Sequence, residues 1–142
     1  MRKSLYMKIL VPIDGSEYSE KALFHACDMA KNYRANLVLL YVVEKSLPIN
    51  LLDRKEYLEI LRKFGNNILI KGKKITNDKG IDSKIIIKEG NIANEIIKLA
   101  KNEKCNLIVV GNKGLGSAAR FFLGSVSNKL VNNSPCSILI IK

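Results

Sequence analysis

Leu107-Ile108-Val109-Val110-Gly111-Asn112-Lys113-Gly114, then nine residues, then Gly124-Ser125-Val126-Ser127: this stretch decides the fold. The four leading apolar residues read as a buried strand, and the residues around and after Gly124 read as a helix. A strand that ends in glycines and leads to a helix N-terminus is how α/β domains hold phosphates. Glycine lets the backbone approach an anion closely. The unpaired N–H groups and the dipole of the helix start favour negative charge. A single glycine here would be an ordinary tight turn. Gly111, Gly114, Gly116 and Gly124 together, with Ser125 and Ser127 at a helix start, point to a phosphate site.

Two common phosphate motifs are excluded. A Walker loop needs Gly-Lys-Ser or Gly-Lys-Thr, and the chain has neither. The dinucleotide fingerprint needs a different glycine spacing. There is then no P-loop lysine, no obvious second carboxylate for a metal and no evident base to activate water. The site is built to hold a nucleotide, with little equipment to cleave it.

Outward from this stretch, strand and helix patterns alternate. Lys8 to Ile13 reads as a first strand, followed by Asp14-Gly15-Ser16-Glu17. Asp14 or Ser16 is the expected N-cap, with Glu17 in the capping-box position relative to Asp14. Ala22, Leu23, Ala26, Cys27 and Ala30 mark one face of the helix that follows, and Leu37 to Val43 is a second strand. After Pro48 comes a long helix with Tyr57, Leu61, Phe64, Ile68 and Ile75 as its expected stripe. Gly65 and Gly72 weaken that helix and invite a kink. Lys84 to Lys88 is a third strand. Asn91 is the expected cap of a helix whose Ala93, Ile96, Ile97 and Ala100 face the sheet. Phe122, Leu123, Val126 and Leu130 outline the last helix, and Ser137 to Ile141 the last strand. Strands without internal alternation, separated by helices, predict a five-stranded parallel doubly wound α/β sheet with helices on both faces. Ligands bind such sheets at the carboxyl ends of the strands, where the strand order reverses. Asp14 and both glycine turns fall on that edge.

Composition narrows the partners. The 142 residues form one expected domain, 1–142, with no linker, repeat or low-complexity tract. The formal charge is +11, from 24 Lys and Arg against 13 Asp and Glu. That charge alone would fit a polyanion partner. However, acidic residues interrupt the basic run after residue 54, and the aromatic interleaving of a single-strand binder is missing. Nucleic acid is therefore not the expected partner. Cys27, Cys105 and Cys136 have no metal or redox spacing and read as buried free thiols of a reducing, cytoplasmic protein. The only histidine, His25, reads as a structural or solvent-edge residue. The N-terminus does not read as a signal peptide, and no apolar run approaches the roughly 18 residues of a membrane span.

The pattern G-x2-G-x9-G-S, carried here by Gly111, Gly114, Gly124 and Ser125, resembles the nucleotide-binding signature of the universal stress protein family, in its ATP-binding branch. The resemblance covers essentially the whole chain. Ile9 to Ser16 is similar to the family's opening strand and loop, and Pro135 to Ile141 to its closing strand. Leu37 to Val43 is similar to its second strand, with Tyr41 where a histidine is common. The resemblance implies a Rossmann-like, adenine nucleotide alpha hydrolase-like fold. It implies that Asp14 contacts the nucleoside, that Pro12 and Ile13 line the pocket and that the Val42 backbone reads the adenine edge. Val110 would pack near ribose and base, and Gly111 and Gly114 would approach the phosphates. Gly124, Ser125, Val126 and Ser127 would cradle them. Lys113 and Arg120 stand where either a phosphate contact or a solvated side chain fits. ATP with Mg²⁺ is the implied ligand, a cytoplasmic regulator or sensor the implied role, and a homodimer through the C-terminal strand the implied assembly. A slow ATP hydrolase, a nucleotidyl-transfer enzyme and an AMP- or cyclic-nucleotide-binding relative are the alternatives.

Overall fold

The computed structural model describes residues 6–45, 51–112 and 125–142. Five strands alternate with four helices: β1 (Lys8–Pro12), α1 (Glu17–Tyr33), β2 (Asn36–Glu44), α2 (Leu51–Asp78), β3 (Ser83–Gly90), α3 (Ile92–Asn102), β4 (Leu107–Gly111), α4 (Ser125–Asn133) and β5 (Ser137–Ile141). All neighbouring strands are parallel, in the order β3-β2-β1-β4-β5. The expected five-stranded parallel sheet is therefore present.

The pleat sorts the core into two layers. Ile9, Val11, Leu37, Leu39, Leu107 and Val109 point to one face, under α1 and α2. Leu10, Val38, Leu40, Ile108 and Val110 point to the other, under α3 and α4. With helices on both faces, β1, β2 and β4 are sealed on both sides, so their apolar runs show no alternation. The edge strands differ. β3 is mostly half-exposed or exposed, and its lysines at positions 84 and 88 flank three isoleucines. Such edge lysines hinder pairing with another strand.

Several local expectations are corrected. β1 ends at Pro12 rather than Ile13, and β3 extends beyond Lys84–Lys88 to Ser83–Gly90. In α2 the buried face is Leu58, Gly65, Leu69, Gly72 and Thr76, whereas Phe64 is 51% exposed. Gly65 and Gly72 are thus contact positions inside one helix that runs from Leu51 to Asp78. In α3, Leu99 is buried where Ile97 was expected, and Ile97 is half-buried. Asn91 does cap α3, accepting the Asn94 N–H at 3.0 Å. Phe122 and Leu123 lie outside the described residues.

Candidate functional site

The strand order reverses between β1 and β4. The chain leaves β1 toward β2 and leaves β4 toward β5, so the segments after these strands diverge and open a crevice at the carboxyl edge. Asp14, the end of β4 and the start of α4 all belong to this edge.

The loop after β1 is tightly specified. Ile13 N–H donates to Leu40 O at 2.8 Å, which carries the sheet pairing one residue past the strand. Asp14 Oδ1 accepts the Ser16 N–H at 2.9 Å, closing a small turn across Gly15. Gly15 has φ +85°, a conformation that favours glycine. Ser16 Oγ then accepts the Ser19 N–H at 3.2 Å, so Ser16 is the N-cap of α1. Glu17 is therefore the first helical residue and not the reciprocal member of a capping box. Ser19 holds that third helical place, accepts the Asp14 N–H at 3.3 Å and donates to Ser16 O at 3.1 Å. Ser19 went unnoticed in the sequence, although its spacing of three from Ser16 is the visible signal.

The predicted site residues divide into backbone and side-chain roles. Pro12 is buried at the end of β1. The Ile13 side chain is 5% exposed and packs beneath α1 and α2. Val110 is fully buried among the α3/α4 contacts. Only the backbones of these residues belong to the edge. Val42 is half-buried near the end of β2, opposite Lys88. Gly111 closes β4, and a Cβ there would lie 2.7 Å from the carbonyl of Tyr18. The requirement for glycine at this position thus comes from α1 pressed against the strand end. Asn112 N–H donates to Ile141 O at 2.7 Å, which continues the β4–β5 ladder. At the start of α4, Ser125 is exposed, Val126 half-buried and Ser127 buried. Gly114, Gly124, Lys113 and Arg120 lie outside the described residues.

A charged clamp closes the other half of the edge. Glu89, near the end of β3, takes Arg62 Nε at 2.6 Å and Nη2 at 2.8 Å, and Lys45 Nζ at 3.2 Å. The Arg62 guanidinium first, and Lys45 next, hold the Glu89 carboxyl down to about 2. This clamp ties α2 to the ends of β2 and β3. The sequence hid it, because Arg62 and Glu89 are 27 residues apart.

The groups that could do chemistry are quiet. Burial pushes the Cys105 thiol up to about 11, with smaller help from Cys136. Burial also raises Cys27 and Cys136, so none of the three is a ready thiolate. Tyr41 is held in its neutral form by burial first and by nearby Asp14 next. His25 is exposed on α1. Among the described residues no three His, Cys, Asp or Glu side chains gather into a metal site. Also among them, no helix is long and apolar enough to cross a membrane.

The profile of the universal stress protein family matches residues 5–142. The chain belongs to that family. A universal stress protein of Methanocaldococcus jannaschii is 35% identical over 99% of this chain and 84% of its own length. The universal stress protein UspA from Lactobacillus plantarum superposes with a TM-score of 0.87 at 27% identity, covering 96% of this chain and 98% of the other. A universal stress protein crystallised in complex with cAMP superposes with a TM-score of 0.76 at 26% identity, covering 98% and 99%. The universal stress protein fold thus extends over nearly all of this chain.

Proposed function

We propose that this universal stress protein binds an adenine nucleotide at its carboxyl edge and acts as a cytoplasmic regulator. The observation that carries the reading is the convergence of three elements on the β1/β4 crevice: the Asp14 turn, the end of β4 and the N-terminus of α4. A helix start leaves N–H groups without intrahelical partners, and these suit phosphate oxygens. Asp14 is anchored through Oδ1 alone among the described residues, which leaves its second oxygen for a nucleoside hydroxyl. The Val42 backbone near the end of β2 would read the base edge.

ATP with Mg²⁺ is the ligand we favour. Among the described residues the acidic side chains do not form a cage, so the metal would ride on phosphate oxygens and complete its shell with water. ATP would set a conformation, or a homodimer formed through β5, that a protein partner recognises. The last four residues of β5, Ile138 to Ile141, are apolar and its outer side is a sheet edge, which supports pairing there. The relative bound to cAMP favours a second reading, in which AMP or a cyclic nucleotide occupies the same edge.

The test is mass spectrometry of nucleotide retained by purified protein, followed by calorimetry with ATP, AMP and cAMP. ATP should bind best, and Gly124→Val should weaken it strongly while the protein stays folded. Unchanged ATP affinity in folded Gly124→Val would reject the phosphate site. Preference for AMP or cAMP would move the assignment to the second reading.

A further inference from the structure

Behind the Asp14 turn, on the α1/α2 face of the sheet, an open cleft of about 160 Å³ separates the start of α1 from the middle of α2. Its walls are largely apolar, with Ile13, Leu23, Ile68 and Ile75 inside and Phe64 at the rim. Two opposite charges line the same cleft, Glu20 from α1 and Lys71 from α2. Both residues are exposed. Among the described residues neither side chain makes an ion pair or a hydrogen bond, with the other or with a third group. An apolar cleft with a free carboxylate on one bank and a free ammonium on the other has the complement of a specific kind of molecule.

We propose that this cleft is a ligand site for a small zwitterion with an apolar side chain, of the kind a free apolar amino acid presents. The ligand's ammonium would face Glu20 and its carboxylate Lys71. Its side chain would enter between Leu23, Ile68 and Ile75. A space of this size takes a body of roughly benzene dimensions, so a butyl or phenyl group fits and an indole does not. The charged ends stay at the wet mouth, where each pair contributes modestly, and the buried side chain supplies the rest. The site lies on the sheet face opposite α3 and α4, and the proposal stands without the nucleotide reading.

Isotope-labelled protein titrated with L-leucine and with L-phenylalanine, followed by backbone amide shifts, tests it. Saturable shifts centred on residues 13–23 and 64–75 are expected, with a dissociation constant of about 1 mM or tighter. Leucinol lacks the carboxylate and 4-methylpentanoate lacks the ammonium, so each should bind at least about fivefold more weakly. Glu20→Gln and Lys71→Gln, at exposed positions, should each weaken leucine by a similar factor. No saturable shift with either amino acid at about 20 mM would overturn the site. Equal binding of leucine, leucinol and 4-methylpentanoate would overturn the zwitterion assignment.

Discussion

Gly65 lies against the ring of Tyr41: a Cβ built on Gly65 would overlap Tyr41 Cδ1 and fall 2.5 Å from Cε1. No side chain fits there, so α2 can approach β2 only with glycine at this place. Gly72, seven residues on, faces Leu39 and Ile13 less tightly, with a Cβ at 3.1 and 3.2 Å from the ends of their side chains. This close approach turns Phe64 outward, although its ring still meets Tyr41 edge-on at 6.2 Å.

Gly65→Ala should therefore destabilise the protein. Overpacking costs about 1–3 kcal/mol, and better helix propensity returns about 1 kcal/mol. A net loss of up to about 2 kcal/mol by urea denaturation is expected. In a Tyr41→Val background the same change should cost much less. An unchanged midpoint for Gly65→Ala would mean that the ring yields freely.

Asp14 has two tasks that substitution can separate. Asp14→Ala removes the acceptor of the Ser16 N–H and should cost about 1 kcal/mol of stability. It should also weaken adenosine binding about tenfold. Asp14→Asn keeps a side-chain oxygen, so it should restore most of the stability and little of the affinity. Undiminished adenosine affinity in Asp14→Ala, measured by calorimetry, would remove Asp14 from the site.

Base choice tests the role given to the Val42 backbone. An adenine edge bonded to main chain rejects a base that leaves those polar groups unpaired. ATP should outcompete GTP by tens-fold or more, on the scale of such discrimination. Equal affinities in a competition titration would argue against an adenine pocket at the end of β2.

The Glu89 clamp predicts a pH dependence with a definite sign. Its carboxyl sits at about 2 in the folded protein against an ordinary 4.5. The stability that this group contributes is fully present above about pH 4.5 and is lost as pH falls through about 2. The clamp is partly exposed, so the contribution is modest and weakens in salt. Wild type should exceed Glu89→Gln in urea midpoint at pH 7, and the gap should narrow below pH 5. A gap that stays constant down to pH 2 would show that the loss is steric.

Hydrolysis should be very slow. The described residues offer backbone donors and hydroxyls at the edge but no charged base aligned with them, so little is added in the transition state beyond binding. Purified protein with ATP and Mg²⁺ should release phosphate at about one turnover in many minutes or less, against roughly 1–10³ per second for ordinary enzymes. Steady turnover near one per second, abolished by Gly124→Val, would make this chain an enzyme.

The sequence by itself determined what depends on near neighbours. The limits of β5, Ser137–Ile141, follow from an apolar run with a proline shortly before it. The Asn91 cap of α3 follows from one side chain and an N–H three residues on. The sealed strands β1, β2 and β4 follow from apolar runs that need cover on both faces. The family's glycine spacing was equally legible.

Only the tertiary structure decided what depends on how closely two elements meet. Two candidate caps stood two residues apart, and Ser16 rather than Asp14 became the cap of α1 because the Asp14 carboxylate is used by the turn across Gly15. Gly111 reads as a phosphate glycine in one dimension, yet Tyr18 of α1 occupies the place of its missing side chain. The α2 stripe was right in part, since Leu61, Ile68 and Ile75 flank the core, but its centre falls on Leu58, Gly65, Leu69 and Gly72, because apolar periodicity gives glycine no weight. A helix buries the face that can come nearest the sheet, and at Tyr41 that face is the one with no side chain at Gly65.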